Sequence, residues 1–195
     1  MTTPKNHGSS LVDVYQTVIS HRGAWYCSAP VTTGLRYFEW LKSIGQDYEE
    51  IDVADARHRS AHQVAVVNPN SEHAQEVVAR LRAQADVPVI DPTALPPQPG
   101  WTQNEWRQFW AEVIRRYVVR LILVDHWQYS NGCAFEYLTA ATKGIPIVSE
   151  SGKAISNQKA QALLGQAIKD ISNHGRRTTW LTGILNDLQA LRGSS

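Results

Sequence analysis

The chain has 195 residues, 43% of them hydrophobic and 19% charged, with a formal net charge of +1. That length and balance fit one globular domain with a sizeable core, and the near-neutral charge gives no electrostatic case for nucleic acid or a membrane surface. Two cysteines, Cys27 and Cys133, make no disulfide framework, no apolar run reaches a membrane span, and the polar start MTTPKNHGSS lacks an apolar signal core, so a cytoplasmic protein is expected.

Residues 1–8 read as a disordered tail and residues 9–192 as a single α/β domain. Ser9 or Ser10 can cap a first helix over 11–21, which Gly23 ends. Trp25-Tyr26-Cys27-Ser28-Ala29-Pro30 reads as a first strand running into a loop, because Pro30 cannot continue a central strand. Thr32-Thr33-Gly34 then leads into a helix over 35–44; such a turn can offer N–H groups and hydroxyls to an anion or a sugar. Residues 46–61 are charged and poorly periodic, a surface excursion.

Gln63 to Val67 predicts a second strand, closed by Asn68-Pro69-Asn70, with Ser71 as N-cap of a helix over 72–85. Val87 to Ile90 predicts a third strand, and the proline-rich residues 91–100 a stiff loop over the sheet edge. Thr102 caps a helix over 103–116. Its Trp106, Phe109, Trp110 and Tyr117 follow helical spacing, which suits docking on the core and also packing against a partner subunit. Residues 118–124 predict the fourth strand, 145–148 the fifth, 156–173 a long helix, and Thr178 or Thr179 opens the last helix. The alternation predicts a three-layer αβα sandwich of flavodoxin or Rossmann type, with a five-stranded parallel sheet in the order 2-1-3-4-5.

Ligands of such sheets bind beyond the carboxyl ends of the strands. There the stretch 120–147 supplies Asp125 at a strand end, the small-residue run Ser130-Asn131-Gly132, and Glu136 in what reads as the first turn of the next helix. A first-turn carboxylate feels the positive end of the helix dipole, which favours its ionised form. A carboxylate nucleophile suits an anomeric sugar carbon, whose transition state resembles an oxocarbenium ion. Ser130, Asn131 and the N–H groups of Gly132 and Cys133 are then candidates for sugar hydroxyls or a phosphate. Tyr26 and Trp127 are candidates to stack on a base, and Asp125 to bind its amino group or pass a proton to the leaving nitrogen. The plainer readings are a capping glutamate, a turn aspartate, a tryptophan at the core edge and a small buried cysteine. The seven histidines show no metal-ligand spacing, so neither a metal nor a cofactor is expected.

Two stretches carry a resemblance. Tyr26-Cys27-Ser28-Ala29-Pro30 is similar to the first strand and loop of the nucleoside 2-deoxyribosyltransferase family and its nucleotide-hydrolysing relatives. Ser130-Asn131-Gly132-Cys133-Ala134-Phe135-Glu136, with Ala140-Ala141 and Gly144-Ile145-Pro146, resembles that family's loop, nucleophilic glutamate and alanine-rich helix. The resemblance implies Glu136 as the nucleophile and a pocket shaped by Tyr26, Ser28, Pro30, Asp125, Trp127, Ser130, Asn131 and Gly132. It also implies a nucleoside or nucleotide ligand and a homo-oligomer, dimer or higher. The chain departs from the transferases at Ser130, where they carry an aspartate, and at Val118-Val119-Arg120, where they tend to carry an acid. The Ser130, Cys133, Glu136 spacing also resembles the catalytic helix of TIR-type NAD glycohydrolases. A nucleotide sensor that binds without cleaving is the alternative from another class.

Overall fold

The fold is that of a computed structural model, which describes residues 15, 19, 23–44, 56–96, 98–173 and 175–191. The expected tail over 1–8, most of the first helix over 11–21, most of the excursion over 46–61 and the residues after 191 lie outside the described residues. Four strands, β1 (Ala24–Ser28), β2 (Val89–Ile90), β3 (Val118–Leu123) and β4 (Ile147–Ser149), pair in parallel in the order β2-β1-β3-β4. The helices are α1 (Leu35–Ser43), α2 (Ala56–His62), α3 (Asn68–Arg82), α4 (Gln103–Tyr117), α5 (Asn131–Thr142), α6 (Asn157–Ser172) and α7 (Thr179–Ala190).

The sheet has two unlike faces. Ala24, Tyr26, Ile90, Leu121, Leu123 and Ile147 point to one side, where Phe109, Trp110 and Ile114 of α4 and Ala134, Tyr137 and Ala140 of α5 complete the main core. Cys27, Val89, Ile122 and Val124 point to the other, against Val77, Val78 and Leu81 of α3. The period of two along β1 and β3 produces this sorting. Fully burying a side chain such as Leu121 or Leu123, both 0% exposed, contributes about 1.5–3 kcal/mol. A register shift between Ala24 and Trp25 leaves Val119 46% exposed. Gly23, at φ 77°, has no room for a Cβ beside Val119.

The local signals hold at several helix ends. Thr102 caps α4 with a reciprocal pair: its Oγ accepts from Glu105 N–H at 3.2 Å while Glu105 Oε2 accepts from Thr102 N–H at 2.6 Å. Ser156 caps α6, accepting from Lys159 N–H at 3.2 Å. The aromatic stripe of α4 is used within the chain: Phe109 and Trp110 are buried among Tyr15, Trp101, Trp106 and Tyr26.

Two expectations are corrected. Gln63–Val67 is not a strand but a π-helical turn joining α2 to α3. Val66 is wholly buried against Tyr37, Trp40 and Leu41, while Val64 is 65% exposed, which helical geometry allows. A short apolar run does not by itself distinguish strand from helix. Asn68 N–H reaches Gln63 O in this widened turn, and the wider ring accommodates Pro69 inside a continuous helical segment. Ser71 and Glu72 therefore lie inside a helix rather than opening one. The sheet consequently has four strands among the described residues, and β2 lies on the side of β1 away from β3.

Candidate active site

The strand order reverses at the β1–β3 junction, and the loops that leave these two strands run side by side. Ser28 pairs with Leu123, and Val124 N–H donates to Ser28 O at 2.9 Å, so both strands end at the same level. The loop after β1 is fixed from the helical segment behind it. Asn70 Nδ2 donates to Val31 O and Thr33 O, each at 3.0 Å, and His62 Nε2 stands 2.9 Å from Thr32 O. A carbonyl only accepts, so that ring nitrogen carries the proton. Pro30 is buried at the base of the loop, where a Cβ on Gly34 would come within 2.7 Å of its ring. Gly34, at φ 94°, is the residue that tolerates this approach.

Glu136 faces this junction from α5. Tyr26 O–H donates to Glu136 Oε1 at 2.7 Å, spanning 110 residues of sequence. Ser28, 0% exposed, stands near enough to Glu136 and Cys133 to favour their ionised forms, yet its Oγ has no well-formed hydrogen bond. Glu136 is half-buried as a residue, and its carboxyl group is the part shielded from water. Burial there raises its pKa to about 7, against the smaller opposing effects of Ser28 and Tyr26.

This reverses the expected ionisation. Ser130 is the N-cap of α5 and accepts from Cys133 N–H at 3.4 Å, so Asn131 and Gly132 already belong to the helix. Glu136 is then in the second turn, where the field of the helix end has weakened, and loss of water dominates. Tyr26 and Cys133 are likewise held neutral, the thiol pushed up to about 12 by burial and then by Glu136.

The other predicted residues divide. Trp127 is 3% exposed and stacks on Tyr137 at 5.0 Å and 14°, so it is a core residue and not a platform for a base. Tyr26 is 0% exposed and edge-on to Trp110 at 5.8 Å, so it positions Glu136 instead of stacking on a ligand. Asp125 and Asn131 are exposed, and Gly132 is half-buried. Asp125 opens a tight turn in which Trp127 N–H donates to Val124 O at 3.2 Å and His126 takes φ 64°. Asp125, Ser130 and Glu136 thus border the same junction from one side, and Ser28 and Pro30 from the other.

Two acids escaped the sequence reading. Glu150, one residue past β4, accepts from Asp125 N–H at 3.3 Å and pairs with His73 Nε2 at 3.0 Å. Asp91, one past β2, accepts from Thr93 N–H at 2.9 Å and Thr93 O–H at 2.7 Å. The signal was available: each acid directly follows a strand, as Asp125 nearly does. His73 was not foreseeable, because it reaches Glu150 from a helix 77 residues away in sequence. Among the described residues no three His, Cys, Asp or Glu gather as a metal set, and no helix is long and apolar enough to cross a membrane.

Compared with protein-family models, with curated proteins and with solved structures, the chain matches none.

Proposed function

We propose that the protein cleaves or transfers at the N-glycosidic bond of a nucleoside or nucleotide, with Glu136 as the nucleophile. The observation that carries the reading is the Tyr26–Glu136 hydrogen bond of 2.7 Å at the switch point of the sheet, beside the buried Ser28 hydroxyl. In the reaction the Glu136 carboxylate bonds to C1′ while the C1′–N bond breaks and its electron pair leaves with the base. Water, or a second base, then attacks C1′ and frees the carboxylate. Because Glu136 is poorly hydrated, its attraction to a carbon gaining positive charge is stronger than it would be in water. Tyr26 holds one carboxylate oxygen, which leaves the other to attack. Ser28 Oγ and the exposed Asp125 and Asn131 are the groups proposed to meet sugar and base.

With a pKa of about 7, Glu136 is about half ionised at neutral pH. Attack needs the ionised form, so the rate rises with pH through about 7 and then levels. The proposal includes assembly as a homo-oligomer, which sedimentation velocity tests.

The test is chromatographic detection of free base from a panel of nucleosides, nucleoside monophosphates and NAD, with and without an acceptor base. Release by the wild type and not by Glu136→Gln is the expected result. Release from NAD alone selects the glycohydrolase form of the reading. No release from any substrate, with a melting temperature that rises with a nucleotide, replaces catalysis by sensing.

A further inference from the structure

The face of the sheet opposite Glu136 holds a second concavity, of about 490 Å³, bordered by α3, the strands β1, β3 and β4, and the turn after β4. Its floor is Trp25, Ile122 and Val148, and Arg80, Arg120, Ser149 and Ser151 stand around it. Three observations set it apart from ordinary surface. First, Arg120 lies in β3 directly opposite Trp25 of β1, one residue before the pairing with β4 begins. Its guanidinium is laid over the Trp25 ring at 4.7 Å, which orders it across the floor.

Second, Arg80 and Arg120 come from different elements and converge on one cavity, and among the described residues neither has a carboxylate partner. Arg115 and Arg116, by contrast, are each paired with the Glu112 carboxylate. Third, the one acid on the cavity wall, Glu150, is tied to His73 and to Asp125 N–H, and its single negative charge faces two guanidiniums, so positive charge is in excess inside. Two guanidiniums present forked donors that match the oxygens of a phosphate, and the Ser149–Ser151 hydroxyl pair, bonded to itself at 2.8 Å, has one O–H left to donate beside them. The volume falls within the range of small-molecule pockets.

We infer that this cavity binds a small molecule carrying a phosphate group, with Arg80 and Arg120 as its anchors and the apolar floor receiving the rest of the ligand. The site lies across the sheet from Glu136, so it is a separate site, and the inference does not depend on the glycosidic reading.

The experiment measures the melting temperature of the full chain against inorganic phosphate and against a nucleoside monophosphate, with chloride at matched ionic strength as reference. Phosphate raises the melting temperature of the wild type and of Glu136→Gln alike. The rise is lost in the Arg80→Gln, Arg120→Gln double variant, with affinity falling about tenfold or more for each guanidinium removed. Arg80 is exposed on a helix, so Arg80→Gln alone keeps the fold and must already weaken the response. Arg120→Lys, which keeps the charge but loses the fork, is intermediate. A rise with the nucleotide that exceeds the rise with inorganic phosphate, and whose excess is lost in the double variant, shows the apolar floor in use. The inference is overturned if phosphate does no more than chloride, if the double variant responds like the wild type, or if Glu136→Gln abolishes the response.

Discussion

Glu136 and Glu150 both stand at the carboxyl edge of the sheet, and they are held in opposite ways. Glu150 meets a histidine at 3.0 Å and a backbone N–H at 3.3 Å, partners that suit a carboxylate and keep it in place. Glu136 accepts a hydrogen bond from the neutral hydroxyl of Tyr26 and has the Ser28 hydroxyl beside it, in surroundings that exclude water. The first arrangement joins the turn after β3 to α3 and β4. The second keeps an acid able to change charge near neutral pH. The difference teaches that an acid's place on the edge does not decide its chemistry; the number and charge of its donors do.

The comparison breaks most visibly in activity. Glu136→Gln should lower base release by about a thousandfold or more, whereas Glu150→Gln should leave the chemical step within about tenfold, measured as single-turnover rates. Stability should move the other way. Glu136 has a folded pKa of about 7 against an ordinary 4.5, so between these values the folded state binds more protons and stability falls as pH rises. The penalty is complete above about 7 and absent below about 4.5. Glu136→Gln should therefore be more stable than wild type at pH 8, by up to about 3 kcal/mol, and should lose that advantage in acid. Urea melts at several pH values check this. A variant less stable than wild type at pH 8 would show that the carboxylate is well solvated.

Tyr26→Phe sharpens the same point. The Tyr26 hydroxyl favours the ionised form of Glu136, so its removal should move the midpoint of the pH–rate profile upward and lower the rate at pH 7 by about tenfold. The rate should recover in alkali if Tyr26 acts on ionisation alone. Glu150→Gln should cost about 0.5–1 kcal/mol, the small value following from the partial exposure of His73 and Glu150. The smallest effect belongs to the turn between the two acids. His126→Gly relieves φ 64° at a residue that has a Cβ, and should be neutral or stabilising by about 0.5 kcal/mol in the same melts.

Helix ends were legible wherever a hydroxyl caps them, because a cap is a local contact between residues three apart: Thr102 with Glu105, and Ser156 with Lys159. Ser130 shows the limit of the same rule. The run Ser130-Asn131-Gly132 looks like a loop, but Ser130 caps and the next two residues are helical, which moved Glu136 from the first turn to the second. Residues 63–67 show another limit, since four small apolar residues suit either period until Val66 finds Tyr37 and Leu41.

The sequence by itself determined the alternation that makes an α/β fold with a parallel sheet, the apolar runs of β1, β3 and β4, and the placing of Glu136 and Ser28 in segments that follow or end strands. These rest on periodicity and short-range bonds, which neighbouring residues carry. Only the tertiary structure decided that Tyr26 reaches Glu136 while Trp127 turns into the core, that Glu150 pairs with His73, and that Arg80 and Arg120 meet over Trp25. Those outcomes depend on which side of the sheet each crossover takes and on how much water is left at each carboxyl and guanidinium group. Burial and long-range approach are properties of the packed chain, and no window of sequence contains them.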